Sequence, residues 1–172
     1  RLFPDLEYTF KHGLTYQVAY NSLLQERRRR LHARIVEALE RLYPDRLMEH
    51  VERLAHHAFR GEVWDKAVSY LRQAGAKAFA RSANREAAAY FEQALGALQH
   101  LPERRETLEQ AIDLQFDLRN CLWPLRDFDR IWSYLLGAES LVNTLKDQGR
   151  RGWLSVYTSA NLWQAGQLME AR

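Results

Sequence analysis

The chain has 172 residues, 47% of them hydrophobic, with 25 Lys+Arg against 22 Asp+Glu and a net charge of +3. That length suits one compact domain or one run of stacked helices, and the apolar content excludes wholesale disorder. No apolar run approaches the ~18 residues of a membrane span, and the single cysteine, Cys121, excludes an internal disulfide or a paired-cysteine zinc site.

Residues 1–14 mix aromatics with Pro4 and Gly13, and "EYTFKH" alternates like a short strand. Thr15 is placed to cap a helix whose apolar face is Val18, Ala19, Ser22 and Leu23. Arg27–Leu42 has the helical period, with Leu31, Ile35, Ala38 and Leu42 on one face and Arg27, Arg30 and Arg34 on another. The run of four arginines at 27–30 is therefore divided around the helix. Pro44 ends it, and Asp45 is expected to cap a helix over Asp45–Arg60 that turns Leu47, Val51, Leu54, Ala55 and Ala58 inward until Gly61 stops it.

Trp64–Ser82 follows, lined by Ala67, Val68, Leu71, Ala74, Gly75, Ala78 and Phe79. The next helix starts at Asn84, carries Ala87, Ala88, Phe91, Ala94, Leu95 and Leu98, and ends before Pro102. Glu106–Leu122 and Asp127–Lys146 form a further pair around the turn "WPLRD". Arg151–Ala165 breaks at Gly166, and Leu168–Arg172 opens one more helix. The joints are a few residues long, which forces antiparallel neighbours. The expected fold is all-α, with no convincing strand beyond the first 14 residues.

Small and large residues recur in the manner of tetratricopeptide helix pairs, where small side chains allow close approach and large ones fill the gaps. Val51, Leu54, Ala55 and Ala58 lead to Ala67, Leu71 and Ala74; Leu71, Gly75 and Ala78 lead to Ala87, Phe91 and Ala94. These registers overlap, because Trp64–Ser82 closes one pair and opens the next, and both assignments stay open. A third pair runs from Leu118 and Leu122 to Ile131, Leu135 and Ala138, and a fourth from Leu162 and Gly166 to Ala171.

The phrases "YTFKHGLTYQVAYNSLLQERRRRLHARIVEALE" and "ANREAAAYFEQALGAL" together resemble the region that follows the ATPase core in large bacterial signalling proteins. Those proteins join a P-loop ATPase of the signal-transducing type to tetratricopeptide repeats, often with a nucleotide cyclase or helix-turn-helix domain. Phe10, His12, Leu14, Ala19, Tyr20, Leu23, Leu24, Arg28, Leu31, His32 and Glu40 carry the likeness, and Gly13 departs from it. The resemblance implies a winged-helix-like remnant and linker over 1–44, and a right-handed superhelix of repeats over 45–172, the last of them incomplete. No GxxxxGK[ST] loop is present, so ATPase or cyclase chemistry would belong to other domains.

Charge adds one asymmetry: residues 1–60 carry the whole +3 and residues 61–172 none. Dedicated DNA-binding domains are more strongly biased. Arg27, Arg30 and Arg34 read as a solvated or domain-docking face, with nucleic acid as the rival reading, and Glu37 and Glu40 are spaced to pair with Arg34 or Arg41. His50, His56 and His57 lie near Glu49 and Glu52, but neither HExxH nor HxxEH occurs, and helix-surface histidines are expected there; His12 and His32 are assigned to packing. The five tryptophans suit inter-helix packing, or else a groove for a partner peptide. Asp113 and Asp117, one turn apart, read as solvated carboxylates, and Cys121 as a buried structural thiol. The expected role is a non-catalytic, cytoplasmic protein–protein or intramolecular interaction module, without cofactor or metal. Its partner would be a peptide, a neighbouring domain or, at the exposed repeat end, a second copy.

Overall fold

The structure is a computed structural model and describes residues 18, 20–164 and 166. The alternating segment at 7–12, the Thr15 cap, His12, Ala19 and the final helix with Ala171 lie outside the described residues. Within them the chain is all-α, with no strand. Seven α-helices follow in order: α1 (Gln25–Leu42), α2 (Val51–Arg60), α3 (Trp64–Ala80), α4 (Asn84–Leu98), α5 (Arg105–Leu122), α6 (Phe128–Leu145) and α7 (Gln148–Gln164). A 3-10 segment, Pro44–His50, stands between α1 and α2. Each helix packs on its sequence neighbours.

Four of the joints use the same backbone device. Glu62, Ser82, Arg126 and Lys146 each adopt a left-handed conformation, at φ of 55, 60, 57 and 54°. The next residue then donates its N–H back to the carbonyl five positions earlier: Val63 to Ala58 and Ala83 to Ala78 at 3.0 Å, Asp127 to Leu122 and Asp147 to Val142 at 3.4 Å. The carbonyl of that same residue accepts the first bond of the following helix, from Ala67, Ala87, Ile131 and Arg151 respectively. One left-handed residue thus closes a helix, and its neighbour opens the next, with the orphan terminal groups satisfied on both sides. The α4–α5 joint differs. It runs through Pro102, and the Thr107 hydroxyl accepts from the Arg104 N–H at 2.9 Å.

Because α2–joint, α3–joint and α4 repeat at intervals of about twenty residues, several small residues of one helix recur in the next. Ala55 and Gly75 occupy equivalent positions, as do Ala58 and Ala78, Ala67 and Ala87, and Ala74 and Ala94. This spacing is the physical origin of the two overlapping registers in the sequence. The helices touch through it: Val51, Leu54, Ala55, Ala58, Ala67, Leu71, Ala74, Ala78, Ala87, Phe91 and Ala94 are buried in one core that continues through Ile112, Leu118, Ile131, Leu135 and Ala138. The tightest approach is Gly75 on Phe91, where a β-carbon would come within 2.5 Å of the ring. Gly166 has no such part: it sits exposed in a turn at φ 80°, with nothing near an added β-carbon.

Three sequence expectations change. The first concerns the buried face of α1, which is His32, Val36 and Leu39, while Leu31, Ile35 and Leu42 are exposed. The two stripes have the same period and lie side by side, so periodicity fits either; the contact with α2 selects one. Gly61 makes that contact close, since a β-carbon there would stand 2.7 Å from the Ala33 nitrogen. Its role is therefore proximity, and Glu62 takes the left-handed turn assigned to it. Second, Asp45 does not start a long helix. Arg46, at φ −131° and ψ 24°, interrupts the ladder, and α2 begins at Val51. Third, Glu40 does not pair within α1 but reaches Lys66 at 2.6 Å and Tyr70 at 2.6 Å on α3.

That last pairing is one of a set linking alternate helices. Arg72 on α3 meets Asp117 on α5 at 3.3 Å, Arg150 on α7 meets Asp113 on α5 at 3.0 and 3.1 Å, and Arg130 on α6 meets Glu92 on α4. Helices α1, α3, α5 and α7 are tied edge to edge in this way, as are α4 and α6. Apolar surface fills the space between successive helices, and charges bridge every second one.

Two tests follow from this packing. A non-glycine residue in the left-handed region costs about 1 kcal/mol, so Ser82→Gly or Lys146→Gly is expected to raise stability by about 0.5–1 kcal/mol in urea unfolding. Gly75→Leu is expected to lose about 2–3 kcal/mol by overpacking, and adding Phe91→Ala is expected to recover part of it; purely additive losses in that double-mutant cycle would contradict the contact.

Candidate functional site

The arginine-rich helix is largely internally compensated. Arg29 bonds Glu62 at 2.8 Å and also Glu26, Arg30 bonds Glu26 at 2.9 Å, and Arg28 lies 5.1 Å over the Tyr20 ring. Of the three residues expected to share a docking face, Arg30 is therefore neutralised by Glu26. Arg27 and Arg34 are exposed and form no ion pair among the described residues.

A groove opens instead between α3, α5 and α7. It has a volume of about 440 Å³ and is lined by Arg72, Phe116, Asp117, Arg150, Trp153 and Tyr157, among others. Behind Tyr157, which lines it, lies an aromatic and guanidinium cluster. Arg119 is sandwiched 4.1 Å from the Trp123 ring and 4.6 Å from the Tyr157 ring. Tyr157 in turn packs edge-on against Phe116 at 5.2 Å and beside Trp153 at 5.9 Å. Burial lowers the Arg119 pKa, and the buried Arg119 Nε has no hydrogen-bond partner in the structure. Trp153 remains 59% exposed at the mouth.

The walls carry both signs of charge. Arg150 grips Asp113 through two nitrogens and Asp147 through a third, at 2.7 Å. Burial raises the Asp117 carboxyl above its ordinary range, against the pull of Arg72. Asp113 and Asp117 are thus bridging anions between helices and not solvated carboxylates. Arg119, Arg150 and Tyr157 carried no sequence signal, since each is an ordinary surface-type residue until three helices bring them together. Trp64 and Trp123 follow the packing assignment: Trp64 stacks on His100 at 4.0 Å, and Trp123 meets Phe128 at 5.8 Å. Cys121 is buried, and burial pushes its thiol up to about 12, consistent with a structural role.

A second constellation lies where α1 crosses α2. His32 from α1 meets His56 and His57 from α2, with ring centroids 5.9 and 5.0 Å away, and 5.1 Å between the α2 pair. The Nδ1 atoms of His32 and His57 are 2.7 Å apart, and the far nitrogen of His32, Nε2, lies 3.0 Å from the Tyr20 hydroxyl. Burial lowers the pKa of all three rings, taking His57 to about 4, and so favours their neutral forms. His56 and His57 are consecutive and point about 100° apart on the helix, which hid the grouping; the third histidine, twenty-odd residues away, closes it. His50 stands apart, packed on Tyr43 at 4.3 Å.

Glu40 anchors the other end of α1. Burial alone would raise its carboxyl, but hydrogen bonds from Lys66 and Tyr70 outweigh this and hold it below the ordinary range. Among the described residues, no helix is long and apolar enough to cross a membrane. Comparison with protein-family models, curated proteins and solved structures returned no match.

A carboxyl depressed in the folded state binds its proton more weakly there than in the unfolded chain. Glu40 therefore stabilises above the unfolded carboxyl range, near about 4.3, and that contribution disappears as pH falls through the lower folded value. Glu40→Gln is expected to cost about 1 kcal/mol at neutral pH and to flatten the acid limb of a Tm-versus-pH curve. An unchanged acid limb would show that the pairing contributes nothing.

Proposed function

We propose that the chain is a non-catalytic interaction module whose binding surface is the groove between α3, α5 and α7. The observation that carries this reading is Trp153, an aromatic ring more than half exposed in a groove that it lines together with Phe116 and Tyr157. Tryptophan, tyrosine and arginine concentrate binding energy at protein interfaces, because they bury much surface for few torsions. The groove's mixed charge suits a peptide or a segment of a neighbouring domain with an apolar anchor between charged flanks.

The stacking supports a tetratricopeptide-like right-handed superhelix. Gly75 against Phe91 corresponds to the small-against-aromatic pairing of such units, which favours reading α3 and α4 as one pair and α5 and α6 as the next. In a bacterial signalling ATPase of the kind the sequence resembles, a cytoplasmic module of this shape would bias the ATPase or output domain between states. The exposed Val156 and Trp163 on α7 give the last helix an apolar face for a further repeat or a second copy.

A photo-crosslinking residue at position 153, in the full-length protein, is expected to trap one defined segment of the same chain or of one partner. The same probe at Glu139, exposed on α6, is expected to trap none. Duplex DNA titrated at low and moderate salt is expected to show no saturable binding. Micromolar affinity with a steep salt slope, lost in an Arg27→Ala/Arg34→Ala variant, would overturn the proposal in favour of nucleic-acid recognition.

A further inference from the structure

We propose that His32, His56 and His57 form a site for a borderline first-row divalent cation, zinc foremost, that clamps α1 onto α2. The three rings offer one ligand nitrogen each, all within 4.8 Å of one another. A tetrahedral zinc held at about 2.0–2.1 Å wants its nitrogens about 3.3 Å apart. The His32–His57 separation of 2.7 Å is shorter than that and the trio as a whole spans up to 4.8 Å, so admitting the ion requires the first two rings to part by a few tenths of an ångström and His56 to swing inward.

The chemistry of the donors favours such an ion. Imidazole binds metals only in its neutral form, the form that burial favours in all three rings. The contact between the two Nδ1 atoms requires one of them to carry a proton. When both ligate the cation, that ring's proton moves to its own Nε2, with no change of net charge. The Nε2–H of His32 then donates to the Tyr20 oxygen 3.0 Å away, which orients the ring as outer partners of metal-bound histidines do. A hydrogen bond between His32 and His57 accounts for two of the rings. It leaves His56, whose ring nitrogens form no hydrogen bond among the described residues, although the ring packs against both others. His56 is exposed and His32 buried, so the site opens to solvent on one side and leaves a position for water.

The surroundings select the metal. The donors are all nitrogen, and the Arg53 and Arg60 cations act on these rings. No carboxylate is in the cluster. Calcium and magnesium, which require oxygen ligands, are disfavoured, and imidazole-preferring metals are retained. Ligation would fasten the helix entering the stack to the first corner, where Gly61 already brings the two backbones together.

The test uses chelator-stripped protein titrated with zinc chloride by calorimetry near neutral pH, with cobalt(II) as the spectroscopic probe. The expected result is one equivalent bound at micromolar Kd or tighter, visible cobalt d–d bands, and a Tm that rises with free zinc. His57→Ala and the exposed-site variant His56→Ala are each expected to weaken binding at least about tenfold, whereas His50→Ala and His100→Ala are expected to leave it unchanged. The apo Tm of His56→Ala, expected to match the parent, shows that this loss is not unfolding. Absence of binding below about 100 µM zinc, or equal binding by the His56→Ala/His57→Ala double variant, would overturn the proposal.

Discussion

The stack depends on one backbone conformation used four times. A left-handed residue reverses the chain at each of four joints, and the six-residue hydrogen-bonded loop it closes leaves only two to five residues between one helix and the next. A joint that short has little freedom, so each corner imposes a similar angle on its two helices. The cost is backbone strain at Glu62, Ser82, Arg126 and Lys146, none of which is glycine. It is offset by satisfying the helix-terminal groups at both ends and by the burial that the fixed angle allows.

With the angle set, side-chain size decides how near the helices come. Gly75 and the alanines of α2–α4 let backbones approach closely, and Phe91 fills the space opposite. From α5 onward the alanines largely give way to Ile112, Leu114, Leu118, Leu122, Ile131 and Leu135, and larger side chains fill the core. Helices two apart share little apolar surface, and their connection falls to Glu40–Lys66, Arg72–Asp117, Asp113–Arg150 and Glu92–Arg130. Three of these four pairs run along the series α1, α3, α5 and α7, which also forms the groove, so the polar network that holds the layer together supplies the groove's charged walls.

The two candidate sites occupy different parts of this architecture. The groove is a product of stacking, because Phe116 meets Tyr157 and its neighbour Trp153 only when α5 and α7 lie alongside one another. The histidine cluster belongs to the entry of the stack, where α1 crosses α2 before the regular corners begin. A ligand in the first would report on the middle of the superstructure, and an ion in the second would stiffen its attachment to whatever precedes α1.

Among the described residues, the order of the helices, most joint positions and most inward residues were legible in the sequence. Apolar period and turn residues are local properties, and local backbone energetics largely obey them. Legibility stopped where two local patterns competed. Leu31–Ile35–Leu42 and His32–Val36–Leu39 are equally good helical stripes, and only the meeting of Ala33 with Gly61 chose between them. The two repeat registers competed in the same way, since helix plus joint repeats at a constant interval. Left-handed turns at glutamate, serine, arginine and lysine have no compositional mark. Tertiary structure alone decided which charges bridge helices and which histidines converge, because His32 and His57, or Asp113 and Arg150, become neighbours through the corner angles and not through their spacing along the chain.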